Sequence, residues 1–133
     1  MQRGISTIVE TLKLDLEVIS RNRIDKYHWA KKRVLRQQYQ ILVRNQMSLN
    51  KIKRVTKPTV FNLVIIGVRK RELDFDNFVG GCKQLVDALT HEGFIWDDDM
   101  KHLGIPKFIQ RKASKGESPC VSIIRNEAKS VQE

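Results

Sequence analysis

The sequence predicts one mixed α/β (α+β) domain in the order βαβαββ, with two main helices and a single mixed β-sheet. Three observations carry this. The chain has 133 residues, the size of one ordinary domain. Its 41% hydrophobic content can supply a core without disulfides or a structural metal. The spacing of apolar residues also switches between the period of two expected of strands and the three-to-four spacing expected of helices.

Leu12, Leu14, Leu16 and Val18 alternate with Lys13, Asp15 and Glu17, which predicts a first strand with one wet face. After the polar turn Ser20 to Arg23, the residues Tyr27, Ala30, Val34, Gln38, Ile41 and Leu42 recur at helical spacing. They predict a basic helix over about 25–47, with Asp25 as its N-cap. Residues 48–58 lack apolar periodicity and read as a basic loop. Val60 to Val68 is β-branched and apolar on both faces, the pattern of a central strand covered on both sides. Phe78, Cys82, Leu85, Val86 and Leu89 mark one face of a second helix over about 77–91, and Gly93 stops it. A weak alternation through Leu103 and Ile105 to Pro106 suits an edge strand. The loop Lys112 to Glu117 then precedes a last strand, Cys120 to Ile124. The ends, 1–10 and 127–133, are expected to fray.

The formal charge of +10 is unevenly distributed: residues 1–58 carry +10, residues 59–100 carry −4 and residues 101–133 carry +4. Basic flanks around an acidic centre are the footprint of a polyanion binder, because cations that neutralise phosphates release counterions. Lys31, Lys32 and Arg36 on the first helix, and Lys51, Lys53 and Arg54 in the loop, are candidate DNA contacts. For the helix residues taken alone, a solvated face is the more usual reading. No apolar run approaches the roughly 20 residues of a membrane span, and no signal-peptide core is present, so a cytoplasmic protein with no membrane partner is expected. Cys82 and Cys120 lack zinc or disulfide spacing, the three histidines are scattered, and there is no phosphate-binding P-loop to hold a nucleotide cofactor.

The acidic centre carries the chemistry. Asp74 and Asp76, spaced i, i+2 just after the central strand, point the same way if that segment is extended, and Asp98 arrives from beyond the second helix. Three convergent carboxylates suit Mg²⁺ or Mn²⁺, whose chemistry at phosphodiesters is hydrolysis. Lys83 lies seven residues after Asp76, nearly two helical turns, and could stabilise charge at a scissile phosphate or pair with Asp87 instead. Asp76 and Asn77 could also serve as caps, and Asp97 to Asp99 as a solvated acidic turn.

The stretch Glu72-Leu73-Asp74-Phe75-Asp76-Asn77, then Lys83 with Asp87-Ala88-Leu89, then Gly93-Phe94 and Trp96-Asp97-Asp98, resembles the RusA family of Holliday junction resolvases found in bacteriophages and prophages. Residues 69–103 carry the resemblance, and His28-Trp29-Ala30 is similar to phage members. It implies that 1–133 is one RusA-like endonuclease domain. It further implies a homodimer that cuts four-way DNA junctions by paired, metal-dependent nicks in the cytoplasm of a bacterial host. Asp74, Asp76 and Asp98 would be the metal-binding aspartates and Lys83 the essential lysine, with Asn77, Asp87 and Asp97 as supporting neighbours and Arg69, Lys70 and Arg71 on backbone phosphates. In one departure from the bacterial prototype, Val79, Gly80 and Gly81 place Lys83 three residues further from the aspartates, as in phage-type members. A nuclease of broader branched-DNA taste, or a non-catalytic DNA-binding module, would be built from the same residues.

Overall fold

The computed structural model describes residues 9–99 and 101–128. The chain forms one mixed α+β domain: β1 (Val9–Leu14), α1 (Arg21–Asp25), α2 (Trp29–Leu49), β2 (Phe61–Arg69), α3 (Phe75–Gly81), α4 (Lys83–His91), β3 (Lys107–Lys112) and β4 (Cys120–Glu127). The strands form a four-stranded sheet in the order β1-β4-β2-β3. β2 and β3 run parallel, whereas β4 is antiparallel to both β1 and β2. The predicted order survives, with each main helix preceded or interrupted by a break. β1 starts and stops earlier than its alternation suggests, since the chain bends after Leu14 and carries Val18 into the core. The edge strand begins only after Pro106, where backbone donors resume. β1 begins at Val9 and β4 runs on to Glu127, so fraying at 9, 10, 127 and 128 does not occur; the predicted fraying of 1–8 and 129–133 lies outside the described residues.

Capping explains the breaks. Ser20 caps α1 by accepting from Arg23 N. His28, not Asp25, caps α2, its Nδ1 accepting from Ala30 N at 3.3 Å, while Asp25 closes α1. The buried stripe of α2 is Leu35, Tyr39, Val43 and Met47, a strict i, i+4 series, and not the predicted face, for Val34 and Ile41 are exposed. Two staggered apolar rows lie on this helix, and the one holding Tyr39 is the one that meets α4 and the sheet. Leu49, Lys51 and Lys53 lead into an irregular stretch in which Val55 N donates to Gly93 O.

The core packs Leu12, Leu14, Leu63, Ile65, Val121 and Ile123 of the sheet under Tyr39, Val43, Phe78, Leu85 and Leu89 of the helices. Burial along β2 alternates as far as Ile66, so the reading of a strand covered on both sides is corrected there and holds only at Gly67 and Val68, which are both buried. Helices cover the face of Phe61, Leu63 and Ile65, while Val64 and Ile66 on the other face stay half-exposed. β-branching reported strand geometry and did not report what lay above it. Arg125 is buried yet fully used: its guanidinium reaches Glu10 and the Phe94 carbonyl, and lies 5.0 and 4.5 Å from the Phe61 and Phe94 rings.

Candidate functional site

β2 ends at Arg69, and the connection to α3 is held from two sides. Gln110 of β3 accepts from Leu73 N at 2.7 Å and donates to Leu73 O at 2.8 Å. On the other side Lys70 N donates to Glu17 at 2.9 Å. Arg69 is only 12% exposed, with Nε on Val18 O at 2.8 Å and the guanidinium also on Arg71 O. It therefore fastens the turn, which removes it from the DNA-contacting set, whereas Lys70 and Arg71 remain exposed.

The helix starts at Phe75, and this changes the geometry of the aspartate pair. Asp74 is the N-cap of α3 and accepts from Asn77 N at 3.1 Å; Asp76 sits within the first turn. The segment is not extended through Asp76, so the i, i+2 rule for strands fails and the two carboxylates leave the backbone in different directions. Both are exposed. Asp74 thus performs the capping role open to such a residue, and Asn77 uses its Oδ1 to accept from Asn22 N of α1 at 3.1 Å.

Cys82 separates α3 from α4, so Asp76 and Lys83 do not share one continuous helix face. Lys83 instead lines a cleft of about 210 Å³ with Asp87 and Asp98, over apolar walls from Val86, Leu103 and Phe108. Lys83 Nζ stands 3.9 Å from Asp87, a loose ion pair with the lysine 73% exposed. The Asp98 carboxyl is held above the ordinary carboxylate range, first by desolvation at the cleft wall and then by the neighbouring Asp97 and Asp87 carboxylates. Asp97 also accepts from Asp98 N at 2.7 Å.

Asp74, Asp76 and Asp98 do not meet within the span of one ion's ligands. Among the described residues, one group of three acidic or histidine side chains has ligand atoms within 4.8 Å of one another: Asp97, Asp99 and His102. His102 is hydrogen-bonded through Nδ1 to Asp99 at 2.8 Å, and that contact holds the Asp99 carboxyl below its usual range. As donor types the carboxylates of Asp87, Asp97 and Asp98 suit Mg²⁺ or Mn²⁺. As an arrangement the predicted triad does not make a single-ion site in this conformation.

The basic residues of α2 divide. Lys32 lines a second cleft of about 390 Å³ with Arg21 and Lys83. Arg36 lines a third, of about 340 Å³, with Arg33 and Asp87. Lys31 lies 4.2 Å above the Tyr27 ring. Lys53 and Arg54 line a separate hollow that includes Glu10 and Glu127, while Lys51 is exposed on a left-handed residue, φ 57°. Sequence reasoning missed Arg21 and His102. The Gly80-Gly81 pair could have signalled the first, and the i, i+3 spacing of Asp99 and His102 the second. Among the described residues no helix is long and apolar enough to cross a membrane. No protein-family model and no curated protein matches the chain.

Proposed function

We propose that the protein is a metal-dependent, structure-selective endodeoxyribonuclease that resolves four-way DNA junctions in the cytoplasm of a bacterial host, encoded by a phage or prophage. The observation that carries this is the cleft joining Asp98, Asp87 and Lys83, flanked by the cations of α1 and α2. A bound Mg²⁺ or Mn²⁺ would supply Lewis acidity at the scissile phosphate and a nucleophilic hydroxide. Asp98, with Asp87 and Asp97 beside it, provides oxygen donors on the cleft side. Asp74 and Asp76, assigned by resemblance, carry further carboxylates at the start of α3, outside the span of one ion held at Asp98. Lys83 places its ammonium where charge grows on the phosphoryl oxygens, and Lys32 and Arg36 hold backbone without reading bases. The test is cleavage of a labelled synthetic four-way junction beside a linear duplex of the same sequence, with Mg²⁺ and with EDTA. Paired metal-dependent nicks confined to the junction are expected; cutting of both substrates would make this a broader nuclease.

Two nicks in opposed strands call for two matched sites, which an isologous homodimer supplies. The half-exposed sheet face formed by Val64, Ile66 and Ile124, with Ile109 39% exposed, offers an apolar surface for a second copy. Ile66→Lys is expected to give a monomer in sedimentation; an unchanged dimer would place the interface elsewhere. A non-catalytic DNA-binding module is the second reading, favoured by Asp74's cap and the Lys83–Asp87 pair. Metal-independent junction binding without any cleavage would select it.

A further inference from the structure

We propose that Arg21, projecting from α1 beside Lys83, grips a backbone phosphate of the DNA, and that Gly80 and Gly81 exist to let it lie there. This rests on the nuclease reading only for the identity of the polyanion. Gly80 and Gly81 are the last two residues of α3, where glycine costs less than inside a helix, so the reason for the pair lies in the space their missing side chains leave. A Cβ at Gly81 would stand 2.1 Å from the Ile19 carbonyl oxygen, and one at Gly80 would stand 2.4 Å from Cδ and 2.8 Å from Cβ of Arg21. The bare backbone of α3 is thus the surface on which the 18–25 segment rests. Asn22 N, donating to Asn77 Oδ1 at 3.1 Å, ties the same segment to the start of α3.

That seating puts three cations and one carboxylate, Arg21, Lys32, Lys83 and Asp25, around one cleft of about 390 Å³. Lys83 also lines the Asp98 cleft, so the two clefts share a wall. The Arg21–Asp25 pair is 3.6 Å apart with both side chains about 60% exposed, a weak contact in water that is readily exchanged for a phosphate. Gln84 lines the same cleft. Arginine presents a planar fork that matches phosphate bidentately, which the neighbouring lysines cannot.

The experiment is anisotropy of a fluorescein-labelled four-way junction in EDTA, over a salt series, with the full chain. Arg21→Gln is expected to weaken binding on the order of threefold to tenfold and to reduce the slope of log affinity on log salt by about 1. Gly80→Ala displaces Arg21 and is expected to weaken binding similarly while circular dichroism and Tm show an intact fold. The two changes together are expected to do no more than either alone. Arg23→Gln, a neighbouring cation that does not line the cleft, is the control. Equal losses for Arg21→Gln and Arg23→Gln, or no loss for Arg21→Gln, would overturn the proposal. So would inorganic phosphate shifting the Gly80 and Lys83 amide resonances while Arg21→Gln leaves junction affinity intact, since the cleft would then be a small-anion site. A wild-type chain that binds in this way but never cuts with Mg²⁺ would sink the nuclease reading and leave the phosphate grip standing.

Discussion

Asp74 and Asp76 open a helix, while Asp97, Asp98 and Asp99 follow the end of another, and the fold gains different things from the two groups. At α3 the negative charge is favourable in place: Asp74 satisfies an orphan N–H and Asp76 lies in the first turn, where the helix dipole welcomes an anion. After α4 the charges crowd. Asp98 stands beside Asp97 and Asp87 in a partly desolvated wall, and its carboxyl is pushed up in consequence. Residues that a fold keeps at some cost to stability are better pointers to function than residues it uses as caps. The acidic turn after α4 is therefore the stronger marker, although the D-x-D-N run is the more conspicuous motif.

The comparison breaks most sharply at Asp98. Asp98→Asn removes a crowded charge and keeps the shape, so Tm is expected to stay equal or rise slightly while junction cleavage falls by at least 100-fold and binding in EDTA persists. Cleavage at the wild-type rate would remove Asp98 from the chemistry. The same pair of assays separates the roles of Asp74. Asp74→Asn keeps the cap and is expected to hold stability within a few tenths of a kcal/mol, whereas Asp74→Ala costs about 1 kcal/mol. If both variants cut junctions normally, Asp74 is a cap and nothing more; if Asp74→Asn is stable but inactive, its carboxylate charge is needed as well.

A carboxylate outside both acidic groups gives the pH-dependent contrast. Glu92 is 7% exposed and takes both oxygens to Arg44, at 2.9 and 3.0 Å. The hydrogen bonds from Arg44 hold its carboxyl below the usual range against the opposing effect of burial. A group whose folded pKa is depressed adds stability above its unfolded value, near 4.3, and loses it as pH falls through the folded one. Glu92→Gln is thus expected to cost about 1–2 kcal/mol near pH 7 and progressively less below pH 4. Thermal melts of both proteins across that range check it. A difference in Tm that is constant with pH would show that the ion pair is not the source. Asp98, shifted the opposite way, contributes with the opposite sign: it destabilises where it is ionised, and protonation relieves it.

How much of this was legible follows from which signals are local. The α4 face was visible because Leu85 and Leu89 fall on one stripe with no competing one. The α2 face was misread because the chain offers two apolar rows, and only the tertiary partner decides between Leu35-Tyr39-Val43 and Val34-Ile41. The aspartates were found by type and spacing, but their directions depended on where α3 begins, a matter of one residue. The clustering of His102 with Asp97 and Asp99 left only an i, i+3 spacing as its trace, and the seating of Arg21 on Gly80 is a contact that no periodicity encodes. The glycine pair carried the only sequence trace of the second, as two poor helix formers within the helix predicted over 77–91 and, in the fold, at the break between α3 and α4.

The smallest expected effect lies in the core, under α2. Tyr39 is 1% exposed and its hydroxyl is buried without a hydrogen-bond partner, beside Cys82, whose thiol burial pushes up to about 12. Burial likewise raises the tyrosine's own pKa, so both groups remain neutral across the working range. An orphan hydroxyl in a core costs desolvation with nothing in return. Tyr39→Phe keeps the ring that packs α2 against the domain and deletes only the unsatisfied oxygen. It is expected to be neutral or to stabilise by up to about 1 kcal/mol in denaturant melts, with junction binding and cleavage unchanged. A destabilisation larger than that would mean the hydroxyl has a partner, such as a buried water shared with Cys82. The helix-covered side would then hold a polar contact whose loss the acidic clefts, being solvent-reached, would not feel.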